Sequence, residues 1–134
     1  MRQANEVATM DRIYREFWEQ WNIEHGYIKK PTEKQKEAAR IVIKTAQEYN
    51  INTKKVLAVV ACESNFNKDA INYNDGGPGK HSVGAYQFQK STFDSWSKKM
   101  GQELDYYSIT DQSKVASYMI ANGQIHQWSC ARMI

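Results

Sequence analysis

This chain has little that would tie it to a membrane, a nucleotide or a metal. No window of its 134 residues approaches the ~18 consecutive apolar residues of a membrane-spanning helix. The leading Met1-Arg2-Gln3-Ala4-Asn5-Glu6 lacks the apolar core of a signal peptide. No P-loop, dinucleotide fingerprint or Gly-x-Ser-x-Gly occurs, so nucleotide binding and serine hydrolysis have no local support. The three histidines, His25, His81 and His126, share no ligand spacing, and the two cysteines cannot close a zinc site, so neither a metal nor a cofactor is expected. Formal charge is only +3 and no basic motif is present, which argues against a nucleic-acid partner. A weakly basic surface still suits an anionic polymer. No internal repeat or low-complexity tract appears.

What is present reads as one globular domain. Charged residues make up 25% and aromatics 12% of the chain, outside the range of disordered sequences. A chain of this length can bury roughly two-thirds of its unfolded surface. Residues 1–9 are polar and expected to be loose. Ile13, Tyr14, Phe17, Trp18 and Trp21 then form an aromatic stripe on one helix face. Gly26 and Pro31 break that pattern, which suggests an N-terminal segment 1–30, with its helix docked, and a main domain 31–134.

Thr32-Glu33-Lys34-Gln35 is a capping box. It opens a helix to about Tyr49 with Ile41, Val42, Thr45, Ala46 and Tyr49 inward. Asn52 or Thr53 caps the next helix, which carries Val56-Leu57-Ala58-Val59-Val60-Ala61 and is apolar nearly all round, as a buried central helix would be. Residues 67–83 carry turn chemistry around Asn74-Asp75-Gly76-Gly77-Pro78-Gly79. They predict a loop or small irregular hairpin, with Val83 to Phe88 its strand-like part. Ser91 opens a helix with Phe93, Trp96 and Met100 inward, ended by Gly101. Thr110 opens the last, with Val115, Met119 and Ile120 inward and Asn122-Gly123 as its stop.

Glu63 is the residue with chemistry to offer. It follows six apolar residues and sits near a helix C-terminus, the unfavourable end of the macrodipole for a carboxylate. Both features raise a carboxyl pKa, and an acid kept protonated near neutral pH can donate a proton to a leaving oxygen. The bland alternative is an ordinary surface Glu on a last helical turn. Farther on, Gly84-Ala85-Tyr86-Gln87-Phe88 is a Gly-, aromatic- and amide-bearing segment of the kind that lines a sugar groove. The cysteines, Cys62 and Cys130, are compatible by themselves with two buried thiols or with a bond.

Three motifs in order carry a family resemblance. Glu63-Ser64-Asn65-Phe66 after an apolar helix, followed by Gly84-x-x-Gln87, resembles the lysozyme-like lytic transglycosylases that cut bacterial cell-wall glycan. Cys62 before Glu63-Ser64, the run Gly84-Ala85-Tyr86-Gln87-Phe88-Gln89-Lys90-Ser91-Thr92-Phe93, and Trp128-Ser129-Cys130 resemble the resuscitation-promoting-factor branch. The resemblance covers roughly residues 50–134. It implies a mainly α, lysozyme-like fold, a Cys62–Cys130 disulfide, Glu63 as the catalytic acid and Gln87 beside it. The implied reaction is cleavage of the β-1,4 bond between N-acetylmuramic acid and N-acetylglucosamine in peptidoglycan. A disulfide fits action outside the cytoplasm, by secretion or as a phage lysin.

Glycosidases usually need a second carboxylate. Asp69 and Asp75 are the candidates, though each has an ordinary local role, Asp75 as a turn former before Gly76-Gly77. Beside the expected groove stand Gln87 and Gln89 rather than acids. That shortage favours the transglycosylase route, in which one Glu acts as acid and then base and a 1,6-anhydro sugar results. Other expected substrate contacts are Ser64, Tyr86, Tyr73 and Asn122. Ser64 could instead orient Glu63 or cap its helix, Tyr86 and Tyr73 could be core or rim aromatics, and Asn122 could be a C-cap.

The chain departs from the branch in its longer loop between Glu63 and Gly84, in Tyr86 where Leu or Met is usual, and in its shorter Trp-to-Cys spacing. Its first fifty residues show no match. Two other functions compete: a glycan-binding module without turnover, and an interaction protein whose aromatic N-terminal helix docks a secretion or division apparatus.

Overall fold

The computed structural model describes residues 2–26, 30–77 and 80–133. Among the described residues five helices, α1 (Arg2–His25), α2 (Glu33–Glu48), α3 (Thr53–Ser64), α4 (Lys90–Met100) and α5 (Ile109–Ala121), surround one core, with a two-stranded hairpin between α3 and α4. The fold is mainly α and lysozyme-like. No helix among the described residues is long and apolar enough to cross a membrane.

α3 is the centre. Val56 through Ala61 are all buried, and α3 packs against α1, α2 and the C-terminal 3-10 turn Ser129–Met133. Each fully buried Val or Leu contributes roughly 1.5–3 kcal/mol, so the helix carrying Glu63 is firmly anchored. Asn52 caps its start by accepting from the Lys55 N–H at 3.0 Å. Its end is closed by Asn65, in the left-handed region with φ 51°. α2 has the expected capping box, with Thr32 and Gln35 satisfying each other's backbone N–H groups. Gln35 Nε2 also donates to the Asn65 carbonyl at 3.0 Å, tying the start of α2 to the end of α3.

α1 differs from expectation at its start. Residues 2–9 are helical rather than loose. The physical reason is that no Gly or Pro interrupts the chain before Gly26, and extending a formed helix adds one hydrogen bond per residue fixed. Tyr14 and Phe17 of the aromatic stripe are buried, both packed edge-on against Phe66. Arg40 on α2 grips Asp11 through both carboxylate oxygens, at 2.7 and 2.9 Å. On α2, Ile43 is fully buried, whereas Ile41, expected inward, is only half-buried.

The hairpin is smaller than expected and placed differently. β1 (Ile71–Asn72) pairs antiparallel with β2 (Ser82–Val83). Beyond Val83 the chain does not continue as a strand. It forms a tight turn closed by reciprocal Val83 and Phe88 backbone bonds at 2.9 and 3.1 Å, with Gly84 at φ 87° and Gln87 at φ 53°. A residue at positive φ cannot continue a strand, and Gly84 permits the bend that the pattern alone did not show. Pro78 and Gly79 of the expected turn tract lie outside the described residues. α4 begins at Lys90 and α5 at Ile109, each one residue before the expected start, and Ser108 caps α5 by accepting from Asp111 N–H.

Candidate active site

Glu63 occupies the last turn of α3, where the buried helix emerges. Its carboxyl is half-buried and its pKa is raised, first by burial and then by the negative charge of Asp75, while the backbone N–H of Cys130 holds it partly down by bonding the carboxylate. The helix C-terminus acts in the raising direction as well. A carboxyl in this state is suited to proton donation.

The disulfide explains the Cys130 contact. Cys62 and Cys130 are bonded, with Cα atoms 6.0 Å apart across 68 positions of sequence. Cys62 directly precedes Glu63, so the bond pins the C-terminal tail beside the carboxyl.

The segment facing α3 is the Gly84–Gln87 turn. Ser64 Oγ donates to the Ala85 carbonyl at 2.7 Å. This bond fastens the end of α3 to the turn. Gln87 Nε2 donates to the carbonyls of Gly84 and Ala70 at 2.9 and 3.2 Å. Two carbonyl partners fix which end of the amide is nitrogen, and its oxygen remains to accept from a ligand.

Tyr86 departs from its expected place against the glycan. Its ring is fully buried and its hydroxyl donates to Ser113 Oγ at 2.9 Å, so it has no face to stack on a sugar. The cause is the turn itself, which sends Tyr86 inward beneath the Trp128 indole, whose N–H donates to the Tyr86 carbonyl at 3.0 Å. Tyr73 is different: 59% exposed, beside His81 on the hairpin. Asn122 is exposed, stands at the C-cap of α5 and donates from Nδ2 to the Tyr118 carbonyl of its own helix at 2.7 Å.

Asp75 is the second carboxylate near Glu63, and its charge is felt there. It is more than a turn former. Its N–H donates to the Lys80 carbonyl at 2.8 Å, its carbonyl accepts from Gln89 Nε2 at 2.9 Å, and its carboxylate accepts from the Ser82 hydroxyl. Asp69 is exposed and lies 3.7 Å from Lys68. Among the described residues no group of three or more His, Cys, Asp or Glu could hold a metal ion.

Sequence reasoning missed Gln112. This side chain is buried and donates to the carbonyls of Val83 and Tyr106 at 2.9 and 2.8 Å, bracing the turn from below. Its signal was legible: Gln112, Val115, Ala116 and Met119 lie on one helical face, and a polar side chain in an apolar stripe must find buried partners. Ser82 and the Cys130 amide had no such signal. Left-handed backbone gathers around Glu63, at Asn65, Phe66 and Gln87. Such conformations persist where packing over-determines them and cluster at functional sites; here the buried Phe66 is held by Tyr14 and Phe17.

A model of the Transglycosylase SLT domain matches residues 40–128, more than half of the chain. The protein belongs to that family. The matched span contains α3, the hairpin, the Gly84–Gln87 turn and α5, and leaves α1 outside. Neither the curated proteins nor the solved structures give a match. SLT domains cleave glycosidic bonds in peptidoglycan, so the substrate class is the bacterial cell wall, reached outside the cytoplasm or from within by a phage lysin.

Proposed function

We propose that this SLT domain is a lytic transglycosylase in which Glu63 serves first as general acid and then as base. The observation that carries the reading is the half-buried Glu63 carboxyl with its raised pKa at the end of the buried helix. Protonated Glu63 gives its proton to the glycosidic oxygen as the bond to C1 breaks. Positive charge develops on the sugar ring, close to Asp75. The 6-hydroxyl of the same muramic acid residue attacks C1 and surrenders its proton to the Glu63 carboxylate. A 1,6-anhydro sugar forms, no water is consumed, and Glu63 is protonated again. The Gln87 amide oxygen and the exposed Tyr73 are the proposed glycan contacts. The disulfide fits a protein working in an oxidising compartment.

One observation favours a second reading. Asp75 is anchored through backbone and side chain and lies within electrostatic range of Glu63, as a second carboxylate in a hydrolytic muramidase would be. Mass spectrometry of fragments released from purified wall separates them. Anhydro ends support transglycosylation, reducing ends support hydrolysis, and absence of fragments reduces the protein to a binder.

A further inference from the structure

We propose that the cleft between α1, the start of α2 and the segment after Glu63 is a second binding site, one that holds the carboxylate-bearing stem peptide of the wall polymer. The proposal rests on the wall-cleaving reading of Glu63 for the identity of the polymer, and on the cleft itself for the chemistry. The cavity has a volume of about 740 Å³, within the range of pockets that enclose ligands of several hundred daltons. Trp18 and Trp21 form an apolar wall, each half-buried. Lys30, Lys34 and Lys68 stand exposed around it, opposed by the single carboxylate of Asp69.

The lining points to an anion with some apolar bulk. Only Lys68 has an ion-pair partner, Asp69 at 3.7 Å; Lys30 and Lys34 have none among the described residues. A neutral N-acetyl sugar would call for mixed donors and acceptors rather than an excess of cations. The stem peptide supplies carboxylates for the lysines and alanine methyls for the tryptophans.

Location fits as well. Ser64 and Asn65, the residues after Glu63, line the cleft, so a peptide held here hangs from a glycan lying near the scissile bond. Trp18, Trp21, Lys30 and Lys34 all precede the SLT-matched span. The site is therefore built largely from what this chain adds to the domain. It makes α1 a determinant of substrate choice, favouring peptide-bearing over stripped glycan.

Isothermal titration of the full chain with a soluble anionic stem tetrapeptide tests this without requiring catalysis. The parent should bind the peptide, more weakly as salt rises. It should bind a neutral chitooligosaccharide without that salt dependence. Lys34→Glu with Lys68→Glu, two exposed charge reversals, should lower peptide affinity at least tenfold, since each reversal turns an attraction into a repulsion. Trp18→Ala should weaken the peptide as well. No peptide binding by the parent, or equal binding by the charge-reversed variant, overturns the proposal. Failure of the enzymatic reading appears instead as absence of released wall fragments.

Discussion

Gly84→Ala should cripple the fold through a single methyl group. Gly84 sits at φ +87°, a backbone conformation that L side chains rarely adopt, and forcing a non-Gly residue there costs about 1–3 kcal/mol. The added Cβ would lie 2.4 Å from Gln112 Oε1 and 2.5 Å from its Nε2, far inside contact distance. Gln112 is buried and cannot swing into solvent. If it moves, the carbonyls of Val83 and Tyr106 lose their donor, at roughly 1–3 kcal/mol for each buried group left unpaired. The total expected loss is about 4 kcal/mol, a large part of the ~5–15 kcal/mol that a domain typically has. Urea unfolding should show a lower midpoint with an unchanged slope. Gln112→Ala in the same background should recover part of the loss, because the two sites share one clash and cannot be additive. A cost below about 1 kcal/mol, or strict additivity with Gln112→Ala, would refute the reasoning.

Other consequences are open to simpler checks. Cys130→Ser opens a loop spanning 68 positions and should destabilise by about 4 kcal/mol in the chain-entropy model, read as a lower unfolding midpoint; activity should fall too in conditions where the variant is folded, because the Cys130 amide leaves Glu63. Tyr86→Phe should cost about 1 kcal/mol by orphaning the Ser113 hydroxyl and leave glycan KM unchanged; a raised KM would return Tyr86 to the groove. Glu63 has a folded-state pKa above its unfolded one, so its favourable contribution is complete below the unfolded pKa and is lost as pH rises through the folded pKa. Glu63→Gln should therefore melt higher than the parent near neutral pH, the gap closing below about pH 4. A variant less stable at neutral pH would contradict the burial argument.

The helical framework was legible because its signals are local and redundant. The capping box at Thr32, the apolar run before Glu63 and Gly101 after Met100 each mark an element by sequence alone. The site was legible in part: the position of Glu63 in an apolar helix end already implies a perturbed carboxyl. What escaped was set by the turn at Gly84–Gln87. A Gly-aromatic-amide run reads as a groove lining, yet positive φ at Gly84 and Gln87 turns Tyr86 into the core and fixes Gln87 by its own nitrogen. The sequence offers Asp75 as a candidate second carboxylate and as a turn former, but its anchors, Ser82 and Gln89, are made by folding rather than by spacing. Polarity in residues 2–9 predicts a loose segment, whereas the absence of a helix breaker before Gly26 lets α1 run through them.

The rate at which Glu63→Gln releases fragments from purified peptidoglycan tests the catalytic role of Glu63 most directly. The amide keeps size and hydrogen-bonding shape but cannot donate the proton or take it back. General acid–base catalysis contributes roughly 10²–10⁴-fold, and a group acting in both steps should lose at least the upper part of that range. The variant should remain folded, bind wall and release almost nothing. Fragment release near the parental rate by folded Glu63→Gln would contradict the assignment of Glu63 as the catalytic acid.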